Sequence, residues 1–212
     1  MKVKFKCPFC KQDYELDGEQ VLEYRHQTME CAACDKKFLL AETIPCLGHT
    51  HGRGYDANGL VAVLEIDKAI AELQKDIEQI QEQIKAGPTQ EEIDDRYYGT
   101  MDKETLKDWK EDKTFDINEI KEEISSLRDE LKDAKEEYNN AKGDLPTKNE
   151  AQEQLFCYIG EAYYDGALTM PPNADDFQKL VRIIKNGNDY SDGFELMLKK
   201  YGMDYYLKNP NP

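Results

Sequence analysis

Apolar residues recur at alternating steps of three and four along the middle of the chain. The first run comprises Val63, Ile66, Ile70, Leu73, Ile77, Ile80 and Ile84. The second run comprises Ile117, Ile120, Ile124, Leu127, Leu131, Ala134 and Tyr138. This is the a/d heptad spacing that places one apolar seam along a helix. It predicts two helices of about 24 residues, each roughly 36 Å long at 1.5 Å per residue.

Two matched seams in one chain favour an antiparallel coiled-coil hairpin. Gly87-Pro88 is expected to end the first helix, and Gly143 with Pro146 the second. Asp116 followed by Glu119 resembles a capping box, so the second helix is predicted to begin there. The alternative is that the seams of two chains pair in a homodimer. The linker of roughly 30 residues is long enough to favour the hairpin, while a monomer and a homodimer through the coiled coil both stay open.

The linker between the seams, residues 87–116, carries its own signals. Thr89 and Glu92 form a capping box for one short helix, and residues 102–113 predict another. The aromatic residues Tyr97, Tyr98 and Trp109 lie in this segment, where they would suit a contact to a partner protein. The alternative is that these three side chains pack against each other as a small local core.

The N-terminal residues alternate in a different way. Basic side chains at 2, 4 and 6 flank Val3 and Phe5, which predicts a short strand. Residues 14–16 and 38–40 are expected to supply return strands, and Asp17-Gly18 is expected to form a turn.

The C-terminal residues show three short amphipathic runs after a capping box at Thr147 and Glu150. Their apolar positions are Leu155, Phe156, Ile159, Ala162 and Tyr163, then Phe177, Leu180, Val181 and Ile184, then Phe194, Leu196, Met197, Leu198 and Tyr201. Three short helices are predicted, which form a small bundle or pack on the helical hairpin, with Cys157 as a buried apolar residue.

Four of the six cysteines form two CxxC pairs, Cys7 with Cys10 and Cys31 with Cys34, separated by 20 residues. One CxxC turn brings two thiolates to one side of an ion, and a second turn completes a tetrahedral shell. Disulfides and a redox CxxC are the alternatives. Intracellular thiols stay reduced, and a redox site needs one CxxC in a βαβ setting, which the sequence does not indicate. The spacing therefore predicts one structural Zn²⁺ ion.

The segments FKCPFCKQDYEL and ECAACDKKFLL resemble the two knuckles of a bacterial zinc ribbon. The resemblance covers about residues 1–42. It implies a structural zinc ion and contacts to protein or nucleic acid, without fixing one function. Lys11 and Asp35 stand where the family usually has a glycine after the knuckle. Four protein ligands leave no open coordination position, so metal catalysis is not expected.

A second group of candidate ligands follows the ribbon. Cys46, His49 and His51, with His26 as a further candidate, could hold another metal ion. The alternative is a glycine-rich connector that happens to carry them, and the sequence leaves both interpretations open.

These patterns predict an α+β fold class, predominantly α, in four segments. A zinc ribbon occupies residues 1–42 and the connector residues 43–59. An acidic helical hairpin with the inserted tip 87–116 occupies residues 60–146, and a helical domain residues 147–212.

The acidic charge balance and the lack of known motifs argue against several classes of function. The net charge is −16, and residues 59–146 alone carry 13 basic and 25 acidic residues. Such a balance argues against broad nucleic-acid or anionic-membrane binding. The sequence has no long apolar run and no signal-peptide pattern, so an intracellular, cytoplasmic protein is expected. It also lacks the familiar nucleotide-binding and hydrolase motifs, so the chain is not expected to be an enzyme.

Three functions therefore remain. The first is a non-catalytic zinc-binding module or adaptor for protein–protein interaction, with another protein as partner. The second is an acidic inhibitor that mimics nucleic acid and blocks a nucleic-acid-binding enzyme, as small phage-encoded anti-defence proteins do. The third is a nucleic-acid-binding ribbon, suggested by the local lysines at 2, 4, 6, 11, 36 and 37.

Overall fold

The computed structural model describes residues 1–25, 27–47, 59–97 and 102–188, with the side chains of 95–97 left out. The elements follow the order β1 (Lys2–Lys6), β2 (Asp13–Asp17), α1 (Gly18–Tyr24), β3 (Thr28–Glu30), β4 (Lys37–Leu39), a 3₁₀ turn (Leu40–Glu42), α2 (Leu60–Ala86), α3 (Gln90–Tyr97), α4 (Lys103–Gly143), α5 (Lys148–Tyr164) and α6 (Ala174–Lys185). The predicted α+β class, predominantly α, is confirmed. The third amphipathic run, beginning at Phe194, lies outside the described residues.

The chain divides into two compact units. One contains Met1–Glu65 together with Ala134–Pro212, and the other contains Ile66–Asp133. The division falls within α2 and within α4. The N-terminal residues with the two CxxC pairs, called the head below, and the C-terminal helices therefore belong to one unit. The division into four segments stays a prediction.

Two β-hairpins build the head. β1 pairs antiparallel with β2, with Phe5 opposite Tyr14. β3 pairs antiparallel with β4, with Met29 opposite Phe38. The exposed lysines of β1 alternate with buried Val3 and Phe5, as the period-two pattern predicts. The strands at residues 2–6, 14–16 and 38–40 are thus confirmed to within a residue or two.

Helix α1 replaces the turn predicted at Asp17-Gly18. Asp17 is its N-cap: the side chain accepts a 2.9 Å hydrogen bond from the Gln20 amide, and the Gln20 side chain accepts one from the Asp17 amide. Because this capping box begins a helix, Asp17-Gly18 leads out of β2 into α1 rather than into a return strand. Val21 of α1 is fully buried in the head.

The head has a continuous apolar core that includes the first turn of α2. Its fully buried members include Val21, Leu40, Leu60 and Val61, and Phe5, Phe38 and Leu64 pack with them. The core leaves little space beside Gly18, where an added Cβ would lie 3.0 Å from Leu64 Cδ2.

A second core joins the 3₁₀ turn to α5 and α6. It contains Leu39 and Ala41 together with Leu155, Ala162, Leu168, Leu180, Val181, Ile183 and Ile184. The stripe predicted for α6 is confirmed, and in α5 Leu155 and Ala162 are buried as predicted. Phe156 and Tyr163 of the α5 stripe are exposed, so their predicted place on the inward face is wrong. Cys157 is exposed, so its predicted burial is wrong. It lies two residues beyond Leu155, which carries its side chain to the opposite side of the helix.

Helix α4 is a single helix of 41 residues, and its residues up to Asp133 belong to the second unit. The predicted break and new start at Asp116 are wrong, because the chain has no glycine or proline between Lys103 and Lys142 to end the helix. Asp102 provides the N-cap instead, with Oδ1 accepting bonds of 2.9 Å from the amides of Glu104 and Thr105.

The heptad positions of α2 and α4 are more buried than most other positions of these helices. Ile70, Ile117, Ile124 and Leu131 are buried, and the remaining seam residues from Ile66 to Leu127 are half-buried. This burial arises in one chain, so the seams are at least partly covered without a second copy. Helix α2 ends at Ala86, immediately before Gly87 at φ 83°, as predicted.

Candidate metal centre

The two CxxC segments form a pair of equivalent turns. In the first, the Cys7 amide donates to the Gln12 carbonyl at 2.9 Å and the Lys11 amide to the Cys7 carbonyl at 3.1 Å. In the second, the Cys31 amide donates to the carbonyl of residue 36 at 3.0 Å and the amide of residue 35 to the Cys31 carbonyl at 2.8 Å. The same backbone bonds five and four residues apart therefore shape both knuckles.

Each knuckle closes with a residue in the left-handed region. Lys11 has φ 67° and Asp35 has φ 54°. Glycine adopts this conformation without steric cost, which explains the glycine usual at these positions in zinc ribbons. The chain thus keeps the ribbon turn without glycine. Asparagine and aspartate tolerate this region better than most residues, so the strain is greater at Lys11.

The four cysteine sulfur atoms converge. All lie within 4.8 Å of one another, with 3.8 Å between Cys7 and Cys34 and 3.5 Å between Cys10 and Cys31. Tetrahedral zinc with Zn–S bonds of about 2.3 Å requires sulfur atoms roughly 3.8 Å apart. A disulfide would require about 2.05 Å, and all four thiols are free. The donor set fits a four-coordinate metal ion.

Tyr14 supports this site from β2 and was missed by sequence reasoning, which treated it as a strand residue. Its hydroxyl donates to Cys31 Sγ at 3.1 Å and accepts from the Ala32 amide at 3.0 Å. Its ring stacks on Phe5, its partner in the strand register, at 5.5 Å between centroids. The only sequence signal was an aromatic residue four positions after Cys10.

The hydroxyl of Tyr14 also changes the chemistry of one ligand. Its hydrogen bond to the sulfur is the main cause that lowers the pKa of Cys31 to about 6, against 9.0 for an ordinary thiol. The same bond raises the pKa of Tyr14. The Phe9 amide lies 3.4 Å from Cys7 Sγ and donates to it. The donor aimed at the Cys31 sulfur thus favours its thiolate, the form that binds metal. At Cys10 and Cys34 the backbone donors favour the thiolate too, but burial and the neighbouring thiols raise the pKa.

The proposed second group of ligands is represented only by Cys46. His26, His49 and His51 lie outside the described residues. Cys46 is buried, and burial raises the pKa of its thiol. Within the described ranges, Cys7, Cys10, Cys31 and Cys34 form the group whose ligand atoms are close enough for one metal ion.

Of the three aromatic side chains predicted to bind a partner, the structure describes only that of Trp109. Trp109 is fully buried on α4, with the Lys113 ammonium 5.9 Å from its ring centroid. Tyr98 and the side chain of Tyr97 lie outside the described residues. A buried ring fits the alternative of a local core at this position, while a role of these residues in partner binding stays a prediction.

No protein-family model matches this chain, and no curated protein or solved structure matches it significantly. The likeness to a zinc ribbon therefore rests on the two knuckles and their four cysteines. Across the described part of the chain, no helix combines the length and apolar content needed to cross a membrane.

Proposed function

We propose that the protein is a non-catalytic zinc-binding module for protein–protein interaction. The observation that carries the proposal is the convergence of four cysteine sulfur atoms within 4.8 Å. A Cys₄ set occupies all positions of a tetrahedral ion, so the metal holds the head together and is not open to a substrate. Soft thiolate donors in this geometry select zinc or iron, and zinc is the ion we assign.

The zinc head is coupled to its surroundings by packing. The core of the head includes Leu40, Leu60 and Leu64, and the adjoining core of α5 and α6 includes Leu39 and Ala41. Metal binding free energy in such heads is also folding free energy. The ion would therefore stabilise the unit that contains the C-terminal helices as well as the two knuckles.

Ion pairs in the head weaken the case for nucleic-acid binding. Lys2 lies 2.8 Å from Glu15, Lys4 lies 3.5 Å from the same carboxylate, and Lys6 lies 3.3 Å from Asp13. These neighbouring carboxylates offset the basic cluster that suggested a nucleic-acid-binding ribbon. Phosphate binding needs an excess of basic charge, so this third function has the least support.

The second candidate is the acidic inhibitor. Helix α4 exposes Glu119, Glu122, Glu123, Asp129, Glu130 and Asp133. A series of carboxylates along one long helix could occupy a basic channel made for a nucleic-acid backbone. Mixed charge gives the plainer account, since Lys107 lies 3.2 Å from Glu111 and Lys68 lies 3.8 Å from Glu72.

Affinity purification of partners from the native cell, followed by salt titration, separates the two candidates. An interaction module should retain its protein partner from about 50 to 200 mM salt and be indifferent to added DNA. A nucleic-acid mimic should lose affinity steeply, because exposed charges are screened over about 10 Å at 0.1 M, and DNA should compete with it. Cys31→Ser, which should unfold the head, is the control that shows whether partner binding requires the folded head.

A further inference from the structure

Helix α5 carries aromatic side chains on the face turned away from its core. Its inward residues Ala151, Leu155 and Ala162 are buried. Phe156 is 64% exposed, and Tyr164 is 91% exposed. The two lie eight residues apart, just over two turns along the helix, and are displaced by about 80° around its axis. Two large rings exposed this close together call for an explanation.

Gly160 lies midway between these rings, four residues from each. A Cβ placed on Gly160 would meet no atom within 4 Å, so the fold itself does not require glycine there. Glycine inside a helix destabilises it relative to alanine. Because Gly160 has no side chain, bare helix backbone lies between Phe156 and Tyr164, and we call this place the aromatic recess. The ring of Phe156 is held in place by Phe177 of α6, at 4.9 Å between centroids.

Carboxylates border this recess. Glu153 lies one turn before Phe156 on the same face, Glu161 follows Gly160, and Asp165 follows the end of the helix; all three are exposed. The single basic residue of α5 is Lys148 in its first turn. An apolar recess with an acidic border is complementary to an apolar side chain flanked by basic ones.

We propose that the aromatic recess of α5, formed by Phe156, Gly160 and Tyr164, binds a basic amphipathic helix of another protein. One apolar side chain of that helix inserts over Gly160 between the two rings, and its Lys or Arg residues pair with Glu153, Glu161 and Asp165. The missing Cβ lets the two helix backbones approach closely at the point of insertion. A second copy of this chain is disfavoured, because it would bring like charges together. The inference rests on the proposed function and names the partner's chemistry.

The test uses the full-length zinc-loaded protein and a fluorescein-labelled helical peptide of leucine and lysine, about 18 residues or five turns long. Binding is followed by fluorescence anisotropy, and the contact site by amide chemical shifts in NMR spectra. Gly160→Leu, which fills the recess, and Phe156→Ser should each weaken binding about tenfold or more. Gly160→Ala should raise the melting temperature while lowering affinity, since it favours the helix but obstructs close approach.

Three controls make the result decisive. Phe115→Ser removes an equally exposed ring from α4, 62% exposed, and should leave affinity unchanged. A peptide with glutamate in place of lysine should not bind. Equal binding by wild type and Gly160→Leu would place the peptide elsewhere on the acidic surface and overturn the proposal. Self-association lost in Gly160→Leu would assign the recess to a second copy, which also overturns it.

Metal content separates this inference from the function it rests on. All α5 variants should keep the wild-type zinc content, because the four ligands lie outside the helix. If the protein binds zinc and its cellular partner but does not bind the peptide, the proposal for the recess is wrong and the proposed function stands. A protein without zinc would contradict the proposed function instead.

Discussion

Arg182 of α6 donates a 2.8 Å hydrogen bond from Nη1 to Oε2 of Glu42, in the 3₁₀ turn that follows the N-terminal head. The carboxylate is almost fully buried and also accepts from the Leu39 amide at 3.2 Å. The Arg182 guanidinium lies 5.1 Å from the ring of Phe9, the residue between the first two cysteines. One side chain thus contacts a knuckle of the head and the turn that leads out of it.

Removing this arginine should destabilise the protein. Arg182→Ala leaves a buried carboxylate without its cationic partner, and a loss of about 1–3 kcal/mol is expected, since the arginine is itself about a third exposed. Urea denaturation measures the change. Lys185→Ala, an exposed basic residue on the same helix, should change stability by less than about 0.5 kcal/mol. Equal effects of the two substitutions would contradict the role assigned to the pair.

The pH dependence of stability should reveal how Glu42 titrates. Burial raises the pKa of this carboxyl from 4.5, although the Leu39 amide, Arg182 and Lys179 each favour the charged form. A raised folded-state pKa means that protonation favours the folded chain. Its contribution to stability is therefore present at low pH and lost as pH rises from about 4.5 through the raised value.

Subtracting the stability of Glu42→Gln from that of wild type, measured at a series of pH values, isolates this contribution. The difference should fall as pH rises above about 4.5 and then become flat near neutral pH. A difference that grows with pH would show that Arg182 outweighs burial and that the folded-state pKa is lowered.

Tyr14→Phe should weaken metal binding without unfolding the head. The substitution keeps the ring on Phe5 but removes the donor to Cys31 Sγ and the acceptor for the Ala32 amide. Groups that orient metal ligands typically contribute 10- to 100-fold in affinity, so a loss of about that size is expected in competition with a chromogenic chelator. Tyr24→Phe, which removes a hydroxyl beside the same core, is the control. If the two variants bind zinc equally tightly, the Tyr14 hydroxyl does not contribute to metal binding.

The apolar seam of α4 should not tolerate charge. Ile124 is buried, and Ile124→Asp places a carboxylate among apolar side chains, which should cost about 3 kcal/mol or more. Ser125→Asp adds the same charge at the neighbouring exposed position and should be nearly neutral. Thermal melting followed by circular dichroism compares them. If both variants melt alike, the seam does not contribute to folding, which would contradict the predicted coiled-coil hairpin.

Sequence patterns predicted those features that repeat along the chain. The knuckles follow from the spacing of Cys7, Cys10, Cys31 and Cys34, and the seams follow from apolar residues at steps of three and four. The pattern could not show that Tyr14 reaches Cys31, because that contact depends on the pairing of β1 with β2. The sequence at Asp116 is typical of a helix N-terminus, but α4 continues through this position. Local capping preferences amount to about 1 kcal/mol and yield to the rest of the helix.

The sequence pattern also could not show whether the side chain of Cys157 is buried or exposed. It stands among apolar residues in the sequence, and an apolar segment without clear periodicity does not say which face is covered. The exposed Phe156 beside it shows the same ambiguity. Only the packing of α5 against α6 decides that Leu155 lies inside and its two successors outside.

The central claim is that Cys7, Cys10, Cys31 and Cys34 bind one structural zinc ion. X-ray absorption spectroscopy of protein purified without chelator, combined with metal analysis, tests it most directly. One zinc per chain is expected, with four sulfur neighbours at about 2.3 Å, and Cys31→Ser should lose both the metal and the folded head. Protein that is folded without zinc, or zinc bound by fewer than four sulfur atoms, would contradict the account.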